Sequence, residues 1–203
     1  VRTLQSTSHE FDDLVLDVHF GYKRNQLFPA GERPASRNEI MEELFLFLTS
    51  RKLTISSCES YTGGLFAALF TEIPGSSQVF KGAIVAYANE VKTEVVGVSN
   101  ETIDRYGALS EEAVVEMARK TMDKMHTDVC VAFSGNAGPG VSEHKKQGEV
   151  YMCIAYGNTT RVFHERIAGD RTEVRKQSVL RAARRIESLI REVDVPCEKG
   201  DGG

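Results

Sequence analysis

Between residues 38 and 193 the chain alternates short β-rich apolar runs with longer stretches of helical period, and this alternation limits the fold more than any single motif. A strand or a helix is apolar on one side only, so elements that alternate in this way must stack as layers around a sheet. The stretch "NEIMEELFLFLTSRK" sets Ile40, Leu44, Phe47 and Leu48 at helical spacing, with Asn38 or Ser36 available as a cap. "LTISSC" reads as a first strand, "TGGLFAALFTEI" as a helix opened by Thr62 and closed before Pro74, and "GAIVAYA" as a second strand. "NEVKTEVVG" follows as a short helix capped by Asn89 and stopped by Gly97, then "SEEAVVEMARKTMDKM" as a longer one capped by Ser110. "DVCVAFSG" supplies a third strand, and "GEVYMCIAYG" and "TRVFHERIA" a hairpin joined at Gly157 and Asn158. A final helix runs through "DRTEVRKQSVLRAARRIESLIREV" with Asp170 as its cap. The expected architecture is an α/β layered sheet that is mixed, because its last two strands pair antiparallel.

With 203 residues, 41% of them hydrophobic, one well-buried core is affordable and one domain is expected. Residues 1–37 differ from the rest: "LVLDVHF" alternates like a strand and "PAGERPAS" then interrupts it, so they read as an appendage or the end of a preceding segment. The domain is placed at 38–193 and a flexible tail at 194–203; a first residue of Val1 fits a piece of a longer protein. The 25 basic residues against 29 acids give a net charge of −4, which offers no global attraction to nucleic acid or an anionic membrane. Cys58, Cys130, Cys153 and Cys197 show no CxxC spacing and no histidine partner, so neither a zinc site nor a disulfide framework is expected. No apolar run approaches the roughly 18 residues of a membrane span, and a cytoplasmic setting fits best.

If the first two strands are parallel and joined by a right-handed crossover, their carboxyl ends share the sheet edge where open α/β folds bind ligands. Three chemically rich segments follow strand ends on that edge: residues 59–64, 87–92 and 134–140. Ser60 is either part of a polar helix start or a nucleophile, and the second role needs a base. No histidine falls at a strand end on this edge, and the "EHKKQG" segment with His144 reads as a solvated turn. Lys92 is the candidate base, since a first-turn lysine feels the positive end of the helix dipole. Bringing a lysine from about 10.4 to about 7.5 takes roughly 4 kcal/mol, of which the dipole supplies at most about 1–2, so burial must supply the rest. Tyr87 can donate or relay a proton. "SGNAGPG" can offer backbone N–H groups to an anion but lacks the Lys-Ser/Thr of a P-loop. Arg171 is either a solvated first-turn residue or a phosphate ligand. The run Arg175, Lys176, Arg181, Arg184 and Arg185 reads as the wet face of the last helix. Cys58 reads as a small buried residue, because Glu59 beside it disfavours a thiolate.

Taken in order, "ESYTGG", "EIPGSSQVFKGAIVAYANEVK", "GALSEEAV", "SGNAGPG", "QGEVYMCIA" and "GDRTEVRKQSV" resemble the C-terminal domain of the competence/damage-inducible protein CinA, the nicotinamide-nucleotide amidase family, over about residues 38–192. The resemblance implies a three-layer α/β/α sandwich with a mixed, mostly parallel sheet. It implies hydrolysis of nicotinamide mononucleotide to nicotinate mononucleotide and ammonia, without metal or other cofactor. It makes Ser60 the nucleophile, Lys92 the base and Tyr87 a further catalytic group, with Thr62, Gly63, Gly64, Ser134, Gly135, Gly138 and Arg171 at the substrate. Oxyanion donors are expected near 62–64 or in the 135–140 loop. A homo-oligomer is expected, with no nucleic-acid or membrane partner. Three positions depart from the family pattern: Tyr61 stands where Cys is usual, Asn136 where an apolar residue is usual, and Ala168 where Pro is common.

Overall fold

The computed structural model describes residues 35–194. The strand expected in "LVLDVHF", the tail beyond 194 and Cys197 lie outside them. A five-stranded sheet runs in the order β2-β1-β3-β4-β5, formed by β1 (Ile55–Glu59), β2 (Phe80–Val85), β3 (Val129–Gly135), β4 (Glu149–Tyr156) and β5 (Thr159–Arg166). β1 pairs parallel with both β2 and β3, whereas β3–β4 and β4–β5 are antiparallel. The sheet is thus mixed, with parallel and antiparallel pairings in equal number. The helices are α1 (Arg37–Arg51), α2 (Leu65–Thr71), α3 (Asn100–Tyr106), α4 (Glu111–Met125) and α5 (Arg171–Val193). None of them is long and apolar enough to cross a membrane.

Strand alternation divides the core into two unequal halves. One face presents Ile55, Val131, Phe133, Val150, Met152 and Ile154 to α1, α2 and α5, where Leu44, Leu48, Phe66, Phe70, Val179 and Ile186 fill the layer. The other presents the small side chains Cys58, Cys130, Ala132, Cys153 and Ala155 to Val114, Met117 and Ala118 of α4. All three of these cysteines are free and buried. Burial raises the Cys58 thiol to about 11 and that of Cys153 to about 12, so both are neutral packing groups at physiological pH. The layered α/β/α arrangement expected from the sequence is the one observed.

Helix starts follow the sequence in some places and not in others. Ser36 makes a full capping box with Glu39 at the head of α1. Ser110 caps α4 through the Ala113 N–H, and Asp170 caps α5 through the Glu173 N–H. Thr62, however, does not open α2. That helix begins after Gly64, which sits at φ +88° and makes no side-chain cap. The acceptors come instead from the strand: Glu59, fully buried, takes the Phe66 N–H on Oε2 at 3.1 Å and the Ala67 N–H on Oε1 at 3.0 Å. Asn89 likewise gives no cap, and residues Val91–Val96 form a π-turn rather than an α-helix. The short α3, capped by Ser99 through the Thr102 N–H, was not expected. Nor is the basic run of α5 simply wet: Arg181 and Arg185 pair with Glu165, Arg185 covers the Phe163 ring, and Arg175 turns to the backbone of Thr62.

Glu59→Ala is expected to lower the unfolding free energy by about 3 kcal/mol, because it strands two buried N–H groups and the Ser57 hydroxyl. Glu59→Gln, which keeps one carbonyl acceptor, is expected to lose roughly half as much in urea denaturation.

Candidate active site

Because β1, β2 and β3 are parallel, the segments leaving their carboxyl ends meet on one edge of the sheet. Ser60 is the first residue past β1, and its N–H still reaches Phe133 O of β3 at 3.1 Å. The chain then reverses: Gly63 N–H donates to Ser60 O at 3.0 Å and Leu65 N–H to Thr62 O at 3.2 Å. The left-handed conformation at Gly64 is one a side chain rarely adopts, which is why the elbow needs glycine there. Among the described residues, the N–H groups of Tyr61, Thr62 and Gly64 have no acceptor.

Lys92 enters the same region from the π-turn after β2. Its carbonyl accepts from both Gly97 N–H and Val98 N–H, a wide turn that leaves the side chain facing inward. The residue is 1% exposed, and its Nζ donates to Tyr87 O and to Asn89 Oδ1, each at 3.4 Å. Burial depresses its pKa, opposed by the negative potential of Cys58, Glu143 and Glu90. The Cys58 contribution requires a thiolate, and that thiol titrates only near 11. The burial demanded by the sequence argument is therefore present. Ser60 Oγ is not among the hydrogen-bond partners of Lys92 in the described residues.

The third wall is the loop after β3. Gly135 lies so close to β4 that a Cβ there would stand 2.6 Å from the Val150 Cα. Asn136 is 8% exposed and works entirely within the loop: its Nδ2 donates to Gly140 O at 2.9 Å and Lys145 O at 3.0 Å, and its Oδ1 accepts from Gly138 N–H at 2.8 Å. The polar residue at this position thus holds the loop in shape. Arg171, first residue of α5, donates from Nη1 to Gly138 O and from Nη2 to the Tyr87 hydroxyl, both at 2.7 Å. It pairs with no carboxylate among the described residues, so its charge remains available to an anion.

These walls enclose a cleft of about 570 Å³ lined by Ser60, Tyr87, Lys92, Gly135, Gly138 and Arg171. Of the other sequence-derived positions, Thr62, Gly63 and Gly64 shape the elbow behind it without lining it. Ser134 points away, fully buried, with its hydroxyl on Ala108 O at 2.6 Å. Sequence reasoning missed Glu143, which lines the cleft with Oε2 on the Leu109 N–H at 3.0 Å. Its neighbours in "SEHKKQ" read as a solvated turn, and nothing local in them signals that α3 and α4 lie opposite. Among the described residues, no group of three or more His, Cys, Asp or Glu could hold a metal ion.

Residues 37–190 match the CinA C-terminal domain. The chain belongs to that family. It is 43% identical over 143 residues to a CinA-like protein of Fervidobacterium nodosum, covering 70% of this chain but only 35% of that protein. It is 40% identical over 147 residues to the Protein MG115 homolog of Mycoplasma pneumoniae, covering 72% of this chain and 94% of that one. The chain therefore spans about a third of the longer CinA-like relative and nearly all of the shorter mycoplasmal one. Among solved structures, the competence/damage inducible protein CihA from Agrobacterium tumefaciens superposes with a TM-score of 0.74 at 32% identity, covering 77% of this chain and 97% of that one. The sheet and helices of this CinA domain are thus those of its structural relatives.

A buried lysine with a depressed pKa gives stability a defined pH dependence. Below its folded-state value both folded and unfolded chains carry the proton, and the full cost of burying the ammonium weakens the fold. Between that value and about 10.4 only the unfolded chain carries it, so stability rises with pH, and above about 10.4 the cost is gone. Lys92→Met is accordingly expected to be more stable than wild type at pH 7 in urea unfolding, an advantage that shrinks as pH approaches 10.

Proposed function

We propose that this CinA domain hydrolyses the carboxamide of nicotinamide mononucleotide to give nicotinate mononucleotide and ammonia, with Ser60 as nucleophile and Lys92 as base. The observation that carries the reading is a lysine 1% exposed, with its pKa lowered by burial, in the wall of the cleft that also holds Ser60. Such a lysine can be neutral at working pH, which a serine needs of its base.

In the first half-reaction, neutral Lys92 takes the Ser60 proton as Oγ bonds to the amide carbon. The N–H of Tyr61, a residue that lines the cleft and whose amide has no acceptor among the described residues, is suited to hold the resulting oxyanion. Collapse of this intermediate breaks the C–N bond, and the proton held by Lys92 passes to the nitrogen, which leaves as ammonia. Water then adds to the acyl carbon, Lys92 again holding its proton, and returns Ser60 Oγ–H and the free acid. The Lys92 contacts at 3.4 Å are long for hydrogen bonds and are readily exchanged for Ser60 when substrate seats. Arg171, without a carboxylate partner, suits the substrate phosphate, and Leu109 and Pro139 offer apolar surface to the pyridine ring. The Tyr87 hydroxyl accepts from Arg171 and keeps its own proton free to donate. The chemistry needs no cofactor.

One observation favours a second reading, a nucleotide-binding module without turnover: Lys92 bonds to Tyr87 O and Asn89 Oδ1 rather than to Ser60. Ammonia release from nicotinamide mononucleotide, measured beside calorimetric binding of the same compound, separates the two. The amidase reading expects turnover in wild type and a loss of at least about a thousandfold in Ser60→Ala and Lys92→Ala. Undiminished turnover in Ser60→Ala refutes the mechanism, and binding without ammonia in wild type supports the silent module.

A further inference from the structure

Arg175 stands one helical turn beyond Arg171 on α5, so the two side chains leave the same face of the helix. Arg171 clamps the Tyr87 and Gly138 walls, and Arg175 clamps the elbow: its Nε and Nη2 both donate to Thr62 O, at 3.1 and 2.6 Å. The guanidinium is half-buried, pairs with no carboxylate among the described residues, and lies 3.6 Å from where a Cβ on Gly63 would stand. Apart from Tyr61, whose ring packs into the core, the side chains of the elbow do little to fix it. Thr62 Oγ1 is buried without a hydrogen-bond partner, and Gly64 has no side chain to cap α2. Apart from Phe133 O, which takes the Ser60 N–H, the hydrogen bonds that reach the backbone of residues 60–64 from outside 59–68 come from Arg175 among the described residues.

We propose that Arg175 is a positioning residue for the nucleophile elbow: by holding the Thr62 carbonyl it fixes the turn that presents Ser60 Oγ together with the open N–H of Tyr61. It also brings a positive charge, with no carboxylate partner among the described residues, to the turn where the proposed reaction develops an oxyanion. The mechanical part rests on the geometry alone, and the kinetic part on the amidase reading above.

The test compares wild type, Arg175→Met and Arg175→Lys by amide hydrogen exchange and by kinetics, with unfolding midpoints measured alongside. In Arg175→Met the Gly63 and Leu65 amides, which close the turn, are expected to exchange about tenfold faster while amides of β3 and β4 are unchanged. kcat for ammonia release is expected to fall about ten- to a hundredfold with KM within about twofold, and Arg175→Lys to recover part of the loss. If Arg175→Met does not fold, Arg175→Lys carries the same measurements with smaller changes. Unchanged exchange at Gly63 and Leu65 overturns the proposal whether or not wild type is active. A raised KM at unchanged kcat also overturns it, since Arg175 then acts as a substrate-anion ligand. Faster exchange in a protein whose wild type releases no ammonia upholds the positioning role and refutes the amidase reading instead.

Discussion

The carboxylate of Glu59, sealed at the end of β1, accepts from Ser57 Oγ and from the N–H groups of Phe66 and Ala67 in the first turn of α2, and the cleft is built outward from that junction. A buried carboxylate survives there because donors and the positive end of a helix surround it. Ser60 is its neighbour in sequence, so the chain between strand and helix has only the length of residues 60–64 in which to turn. The polarity of the segment is therefore shared between two tasks. Glu59 anchors the helix, and its anchoring spares the elbow side chains from capping it.

The two halves of the core bear on the site in different ways. Large side chains against α1, α2 and α5 make a thick layer under the elbow. On the opposite face cysteine and alanine side chains make a thin layer, and Val96 and Val98 of the π-turn segment pack into it with α4. Lys92 is drawn into the protein by that same segment. Its desolvation is thus a by-product of how the π-turn seats on small residues, and the neutral Cys58 thiol nearby adds no charge to offset it at neutral pH.

Much of this was legible in the sequence, and what was not has physical reasons. The strands themselves, the hairpin and the caps at Ser110 and Asp170 follow from local chemistry that acts within a few residues. Ser60, Tyr87, Lys92 and Arg171 were found because they follow strand ends or open a helix. Thr62 was misread as a cap because a hydroxyl before a helical run is a common cap, and nothing local shows that a strand carboxylate has taken the role. Asn136 and Glu143 depend on partners such as Lys145, Gly140 and Leu109, whose proximity only the folded chain creates. Arg175 looked like one more charge on a wet helix face, since its acceptor is a backbone carbonyl 113 residues away.

The walls of the cleft differ in how they can change over evolutionary time. At Gly135 the wall is main chain backed by strand, where an added Cβ would stand 2.6 Å from the Val150 Cα, so a side chain there requires the sheet edge to move; at Gly138 it would first meet the Gln147 side chain, at 2.6 Å. Farther along the same loop, Val141 is 70% exposed and Ser142 lines the cleft from an exposed position. New preferences among small ligands can be acquired there at little cost to folding. A single scaffold can in this way keep its reactive groups fixed while its rim drifts from one lineage to another.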